Sequence, residues 1–285
     1  MRNNRHVLFF REQDGDENWR TYRVDLEDGG VIPLTPDAGV KSYIQERSHR
    51  FPDEVLIADN RRDKRFFEIF RVNAVTGEST LVQANDRYGG FLTDRRFAVR
   101  YAYRFTDDGG KQYLQPAGDG TWEPVAQIAM ADAMTTRPIE FSDDGKELYW
   151  LDSRGRDKAA VVARDLATGA MRVLAEDADA DCIDLLPEPI SLRPVAAYSA
   201  FQHRRWRVID PAYAEDFARL AAASTGDLAG LRLSADTRNW LAYFEHDRKT
   251  ANTSTTIARR RGPGFCFRRS RHWIRLPWCR WKRLS

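Results

Sequence analysis

Cysteine is scarce in this 285-residue chain: Cys182, Cys266 and Cys279 are its whole complement, with no C-x-x-C spacing. A set this small and odd frames no disulfide scaffold and marks no zinc site. Long apolar runs are missing too. The N-terminal MRNNRHVLFF holds four consecutive apolar residues before Arg11, short of a signal-peptide core and of the roughly 20 residues of a membrane span. No membrane contact is expected, and the cytoplasm is the default compartment. The five histidines (His6, His49, His203, His246 and His272) are scattered without metal-ligand spacing, and no cofactor is expected. The G-x-S-x-G phrase that places a hydrolase serine on a strand-to-helix turn is absent. Its nearest approach, Gly77-Glu78-Ser79-Thr80-Leu81, falls inside a predicted hairpin. Acid is missing from one region only: residues 248–285 carry 12 Lys or Arg and no Asp or Glu, against 33 basic and 42 acidic residues before them. The net charge of +3 therefore conceals an acidic body and a basic tail.

What the chain does contain is short strands. From Ile139 to Leu174 it reads IEFSDDGKELYWL, SRGRDK, AAVVARDLATGAMRVL. Four apolar runs are broken by turn chemistry at Asp-Asp-Gly and Ala-Thr-Gly, which predicts paired hairpins. The run Glu147–Leu151 is apolar on both faces, so its sheet needs other sheets on either side. The chain supplies them. YRVDLEDGGVIPL, FRVNAVTGESTLV and VARDLATGAMRVL start at Tyr22, Phe70 and Val162, each with Asp or Asn four residues before Gly. FLTDRRFAVRYAY, FSDDGKELYWL and LSADTRNWLAYF start at Phe91, Phe141 and Leu233. Two hairpin motifs alternate with a shared period near 46, and four strands per repeat of ~40–50 residues is the pattern of a β-propeller blade. The fold class is all-β. A large irregular sandwich or a β-solenoid fits the repeated phrase less well.

The first unit supplies three strands, full units cover roughly 38–84, 86–129 and 135–176, and the fifth begins near 180. In that unit Asp210 can cap, and Pro211 can open, a helix with Phe217, Leu220 and Ala221 on one face before Gly226. A sixth unit begins with LAGLRLS and NWLAYFEHD. Residues 1–247 are thus expected to form an incomplete propeller of about five blades and the start of a sixth. Residues 248–285 are expected to form a basic non-propeller tail, disordered or read out of frame from a GC-rich coding strand. Its basic and aromatic residues also allow a nucleic-acid arm, a less favoured reading.

FSDDGKELYW resembles the F-S-P-D-G-x-x-L-x-[YW] phrase of the propeller repeats shared by TolB and the prolyl oligopeptidase family, with Asp143 in the proline position. The longer stretches LFFREQDGDENWRTYRVDLEDGGVIPLTP, SHRFPDEVLIADNRRD and TTRPIEFSDDGKELYWLDSRGRDKAA, taken in order, resemble the propeller of bacterial dipeptidyl or acylaminoacyl peptidases of that family. The resemblance covers about Arg5 to Asp247. It implies a seven-bladed propeller that caps an α/β-hydrolase domain and admits short peptides to a Ser-Asp-His triad. No triad residue can be carried over to this sequence, so the chain by itself is expected to be non-catalytic, with the hydrolase domain and a peptide as its partners. The alternative is a stand-alone TolB-like interaction propeller. Among possible sites, Asp14, Asp16 and Asn18 have the opening spacing of an EF-hand loop, but Trp19 stands where that loop needs glycine, which favours an ordinary acidic loop. Loops between second and third strands emerge on one face, where Arg62, Arg65, Arg154, Arg156 and Arg204 form a candidate rim for acidic partners or a peptide carboxylate. Ordinary solvated loops are the competing reading.

Overall fold

The computed structural model describes residues 1–36, 39–224 and 226–245, together with the backbone of 254–261 and 264–270. It is all-β, half strand and 6% helix, and forms a β-propeller of four-stranded blades. By contact density the chain divides into two units, Met1–Gly145 and Lys146–Ser285. Among the described residues the strands form six sheets. The first contains β1 (His6–Arg11), β2 (Arg20–Asp25) and β3 (Val31–Pro33). The second contains β4 (Ser42–Arg47), β5 (Glu54–Asp63), β6 (Phe66–Asn73) and β7 (Ser79–Gln83). The third contains β8 (Gly90–Thr93), β9 (Val99–Phe105), β10 (Lys111–Pro116) and β11 (Trp122–Ile128). The fourth contains β12 (Arg137–Phe141), β13 (Glu147–Asp152), β14 (Ala160–Asp165) and β15 (Met171–Ala175). The fifth has three strands, β16 (Cys182–Pro187), β17 (Pro194–Phe201) and β18 (His203–Val208), followed by helix α1 (Ala214–Ala222). The sixth contains β19 (Asp227–Leu233), β20 (Asn239–Glu245), β21 (Ser254–Arg261) and β22 (Gly264–Ser270). β21 and β22 fall within the basic 248–285 segment, whose remaining residues lie outside those described.

The repeated Asp/Asn-x-x-x-Gly phrase has one structural cause. The N–H of Gly29, Gly77 and Gly169 donates to the carbonyl of Asp25, Asn73 and Asp165 at 2.9, 2.8 and 2.9 Å. The side chain of each Asp or Asn accepts the backbone N–H two residues on, from Glu27, Val75 and Ala167 at 2.9, 2.8 and 3.0 Å. This Asx-type turn closes the last hairpin of the first, second and fourth sheets. At Gly77 and Gly169 φ is +83° and +74°, a left-handed conformation that costs any residue with a Cβ about 1–2 kcal/mol. Spacing and residue types recur because the same turn recurs.

The cores explain why the second strands are apolar throughout. In β5, Val55 and Ile57 pack with Leu34, Phe70 and Val72, while Leu56 and Ala58 pack with Ile69, Phe91, Phe97 and Ala102. All four β5 residues are fully buried. A strand apolar on both faces is thus a strand with a neighbouring sheet on each side. In the second unit, Leu148, Tyr149, Trp150 and Leu151 of β13 are buried in the same alternating manner. There α1 replaces an outer strand and docks Phe217 and Leu220 against Trp240, Ala242 and Phe244. Asp210 does accept from the Ala212 N–H at 3.0 Å at the entry turn. Ala221, expected on the buried face, is exposed; Asp216 is buried instead.

Candidate functional site

The sheets of the first unit meet along their first strands, the edges that in a propeller line the central channel. A cavity of about 420 Å³ opens there, lined by Gln45, Glu46 and Arg47 of β4, Thr93 of β8, Arg95 of the following turn and Glu140 of β12. Arg95 is its centre. It lies 3.3 Å from the Glu46 carboxylate and 3.2 Å from that of Glu140, and it donates to the Arg47 carbonyl. The three side chains are 13%, 11% and 19% exposed, so both ion pairs are largely desolvated. Gln45 ties β4 to β8 by donating to the Phe91 carbonyl at 3.1 Å and to the Thr93 hydroxyl at 3.3 Å. Ser48 donates to the Arg95 carbonyl at 2.5 Å, and Arg50 pairs with Asp143 at 2.5 Å. Two carboxyl groups flanking one guanidinium in a largely desolvated cleft do not both ionise at ordinary values. Burial, reinforced by the charge of Glu46, pushes Glu140 up to about 7 against the pull of Arg95. Burial likewise raises Glu46.

Such a cluster sets two carboxyl groups and one guanidinium together at the cavity, so groups of both charge types lie within reach of a polar ligand. Sequence reasoning passed over it, although a signal was present. Glu46 and Glu140 each stand two residues before the serine (Ser48, Ser142) that opens the repeated turn phrase, so they occupy one position of the repeat on the first strand of their sheets.

The arginines of the loops between second and third strands are placed as follows. Arg62, near the end of β5, donates to the Glu68 carboxylate at 2.8 Å and the Asn85 carbonyl at 2.7 Å. Arg65, in the same hairpin, is 77% exposed, pairs with Asp63 at 2.8 Å and holds that carboxyl down at about 2. In the second unit Arg154 forks onto Asp152 with two bonds of 2.8 Å and lies over Trp150. Arg156, in the same loop, reaches Glu176 at 3.3 Å. Arg204, on β18, stacks over the Tyr198 ring at 4.5 Å. Four of these guanidinium groups are held by nearby carboxylates, so an incoming anion would have to share or displace a partner. Asp16, of the EF-hand-like spacing, accepts the N–H groups of Gln13 and Asn18 at 3.2 and 3.0 Å. No group of three or more metal-ligating side chains occurs among the described residues.

No family model matches the chain. It is 33% identical over 262 residues to a dipeptidyl aminopeptidase BIII of Pseudoxanthomonas mexicana, a match covering 88% of this chain and 38% of that protein. It is 23% identical over 255 residues to dipeptidyl peptidase family member 6 of Caenorhabditis elegans, covering 84% of this chain and 34% of that protein. The chain thus spans just over a third of the length of these relatives. Among solved structures, the β-propeller domain of the Trilobed protease from Pyrococcus furiosus superimposes with a TM-score of 0.51 at 7% identity, covering 88% of this chain and 78% of that one, which speaks to fold alone. Blades of four strands, joined to sequence relatives named as dipeptidyl peptidases, match a β-propeller-like domain of the prolyl oligopeptidase family.

Proposed function

We propose that the chain is the substrate-screening part of a serine peptidase: a propeller that admits short peptides to an α/β-hydrolase active site and keeps folded proteins out. The observation that carries this reading is the 33% identity to a dipeptidyl aminopeptidase along 88% of the chain. The channel-edge cluster supports it. Glu46, Arg95 and Glu140 place paired charges where an entering peptide would pass, and three first strands tied by Gln45, Ser48 and Arg95 make a firm rim rather than a loose one. The chemistry of bond cleavage belongs to the hydrolase portion, and the propeller contributes selection by size and charge.

The test is a chimera in which this chain replaces the matched segment of the Pseudoxanthomonas mexicana enzyme. The chimera should release dipeptides from short peptides and leave folded proteins intact, whereas the chain alone should release nothing. A chimera that degrades a folded protein as readily as a short peptide would refute the screening role.

A further inference from the structure

The channel-edge cluster does more than line a cavity. We infer that Glu46, Arg95 and Glu140 form a proton-operated latch between β4 and β12, closed when one of the two carboxyl groups is protonated and loosened when both are ionised. The inference rests on the fold and the cluster, not on the screening role.

The geometry sets the latch. β4 and β8 are joined by several bonds that carry no titratable group, through Gln45 and Ser48. β12 is joined to β4 differently. Arg95 is the bridge between Glu46 and Glu140, and Arg50 with Asp143 is a second, more exposed strap at the strand end. The Glu46–Arg95–Glu140 contact is therefore where proton uptake bears on that seam. Other charges face it from every packed element. Arg47 lies beside Glu46 on β4, and Asp94 precedes Arg95 and pairs with Arg100 at 3.0 Å. Arg2 and the chain's amino group approach from the N-terminal segment. The basic groups favour ionised glutamates, while Asp94 and burial oppose them.

The sign follows from linkage. Glu140 has an ordinary value of 4.5 and is raised to about 7 in the closed seam by burial and by Glu46. The closed state thus binds the proton more tightly than the open one. The proton's contribution to closure is full below the ordinary value and is lost as pH rises through about 7. Above that, both states have released it and the opening equilibrium levels off.

Hydrogen exchange of the 285-residue chain, corrected for intrinsic rates and read on the peptide spanning β12, tests the inference between pH 5 and 8.5. Protection should fall about tenfold or more between pH 5 and 7 and then level off, one pH unit within the window corresponding to at most a tenfold change. Glu140→Gln should flatten the profile, because an amide cannot release the proton. Glu46→Gln, which removes the repelling charge but leaves Glu140 titratable, should move the fall to lower pH. The two variants guard against one of them failing to fold. A flat wild-type profile, or a fall that persists unshifted in both variants, would overturn the latch.

Discussion

Replacing Arg95 by methionine removes the guanidinium and keeps most of its apolar bulk, leaving Glu46 and Glu140 facing each other in a cleft where each is less than a fifth exposed. Breaking a buried ion pair by removing one partner costs about 3–5 kcal/mol. Residual solvent contact and the nearby Arg2 and Arg47 lower that figure, so the loss at pH 8 should be about 2–3 kcal/mol. The loss must shrink in acid. Without Arg95 the folded-state values of both carboxyls rise further above 4.5, so the variant gains stability relative to wild type as pH falls through those raised values. At pH 5 the deficit should be about 1 kcal/mol. Urea unfolding at both pH values, followed by far-ultraviolet circular dichroism, gives the difference provided the denaturant slope is unchanged. Adding Glu46→Gln and Glu140→Gln to the methionine variant should recover at least half of the loss at pH 8. A deficit under about 0.5 kcal/mol at pH 8, or the same deficit at both pH values, would refute this account of the cluster.

Two further predictions concern the framework. Because β5 is buried on both faces, Ile57→Ala and Leu56→Ala should each cost about 2–5 kcal/mol in the same unfolding assay, although the two side chains point to opposite sides; a one-sided strand would leave one of them nearly neutral. In the second unit burial opposes ionisation of Glu188, but donors from Arg193, Ser191 and Tyr213 outweigh it and hold the carboxyl at about 2. Its contribution is present above 4.5 and lost as pH falls toward 2, so acid unfolding monitored by Trp240 burial should be flattened in that interval by Glu188→Gln.

The blade pattern was legible because its causes are local. An Asx turn needs Asp or Asn and a left-handed residue at fixed spacing, and Asn73 with Gly77 or Asp165 with Gly169 print that need directly in the sequence. Two-sided burial was legible for a similar reason, since Leu148 to Leu151 permit no exposed face. The helix of the fifth sheet was readable at its approach, where Asp210 caps the short turn Pro211–Tyr213 that leads into α1, but its buried face was misjudged at Ala221, because sheet packing and not helical period alone decides which side of α1 is covered. The Glu46–Arg95–Glu140 cluster was the hardest to see. Its members come from two strands and a turn, each more than 40 residues from the next in sequence, and each alone reads as an ordinary charged residue. Exposed loop arginines such as Arg65 attract attention in a sequence because they cluster locally, whereas the channel edge is assembled only by folding.

The screening role is tested most directly by the rate of dipeptide release against substrate length in the chimera carrying this propeller. The account predicts rates that hold for short peptides and collapse once the chain is long enough to fold or too bulky to enter the channel. Equal rates for short peptides and folded proteins would contradict it.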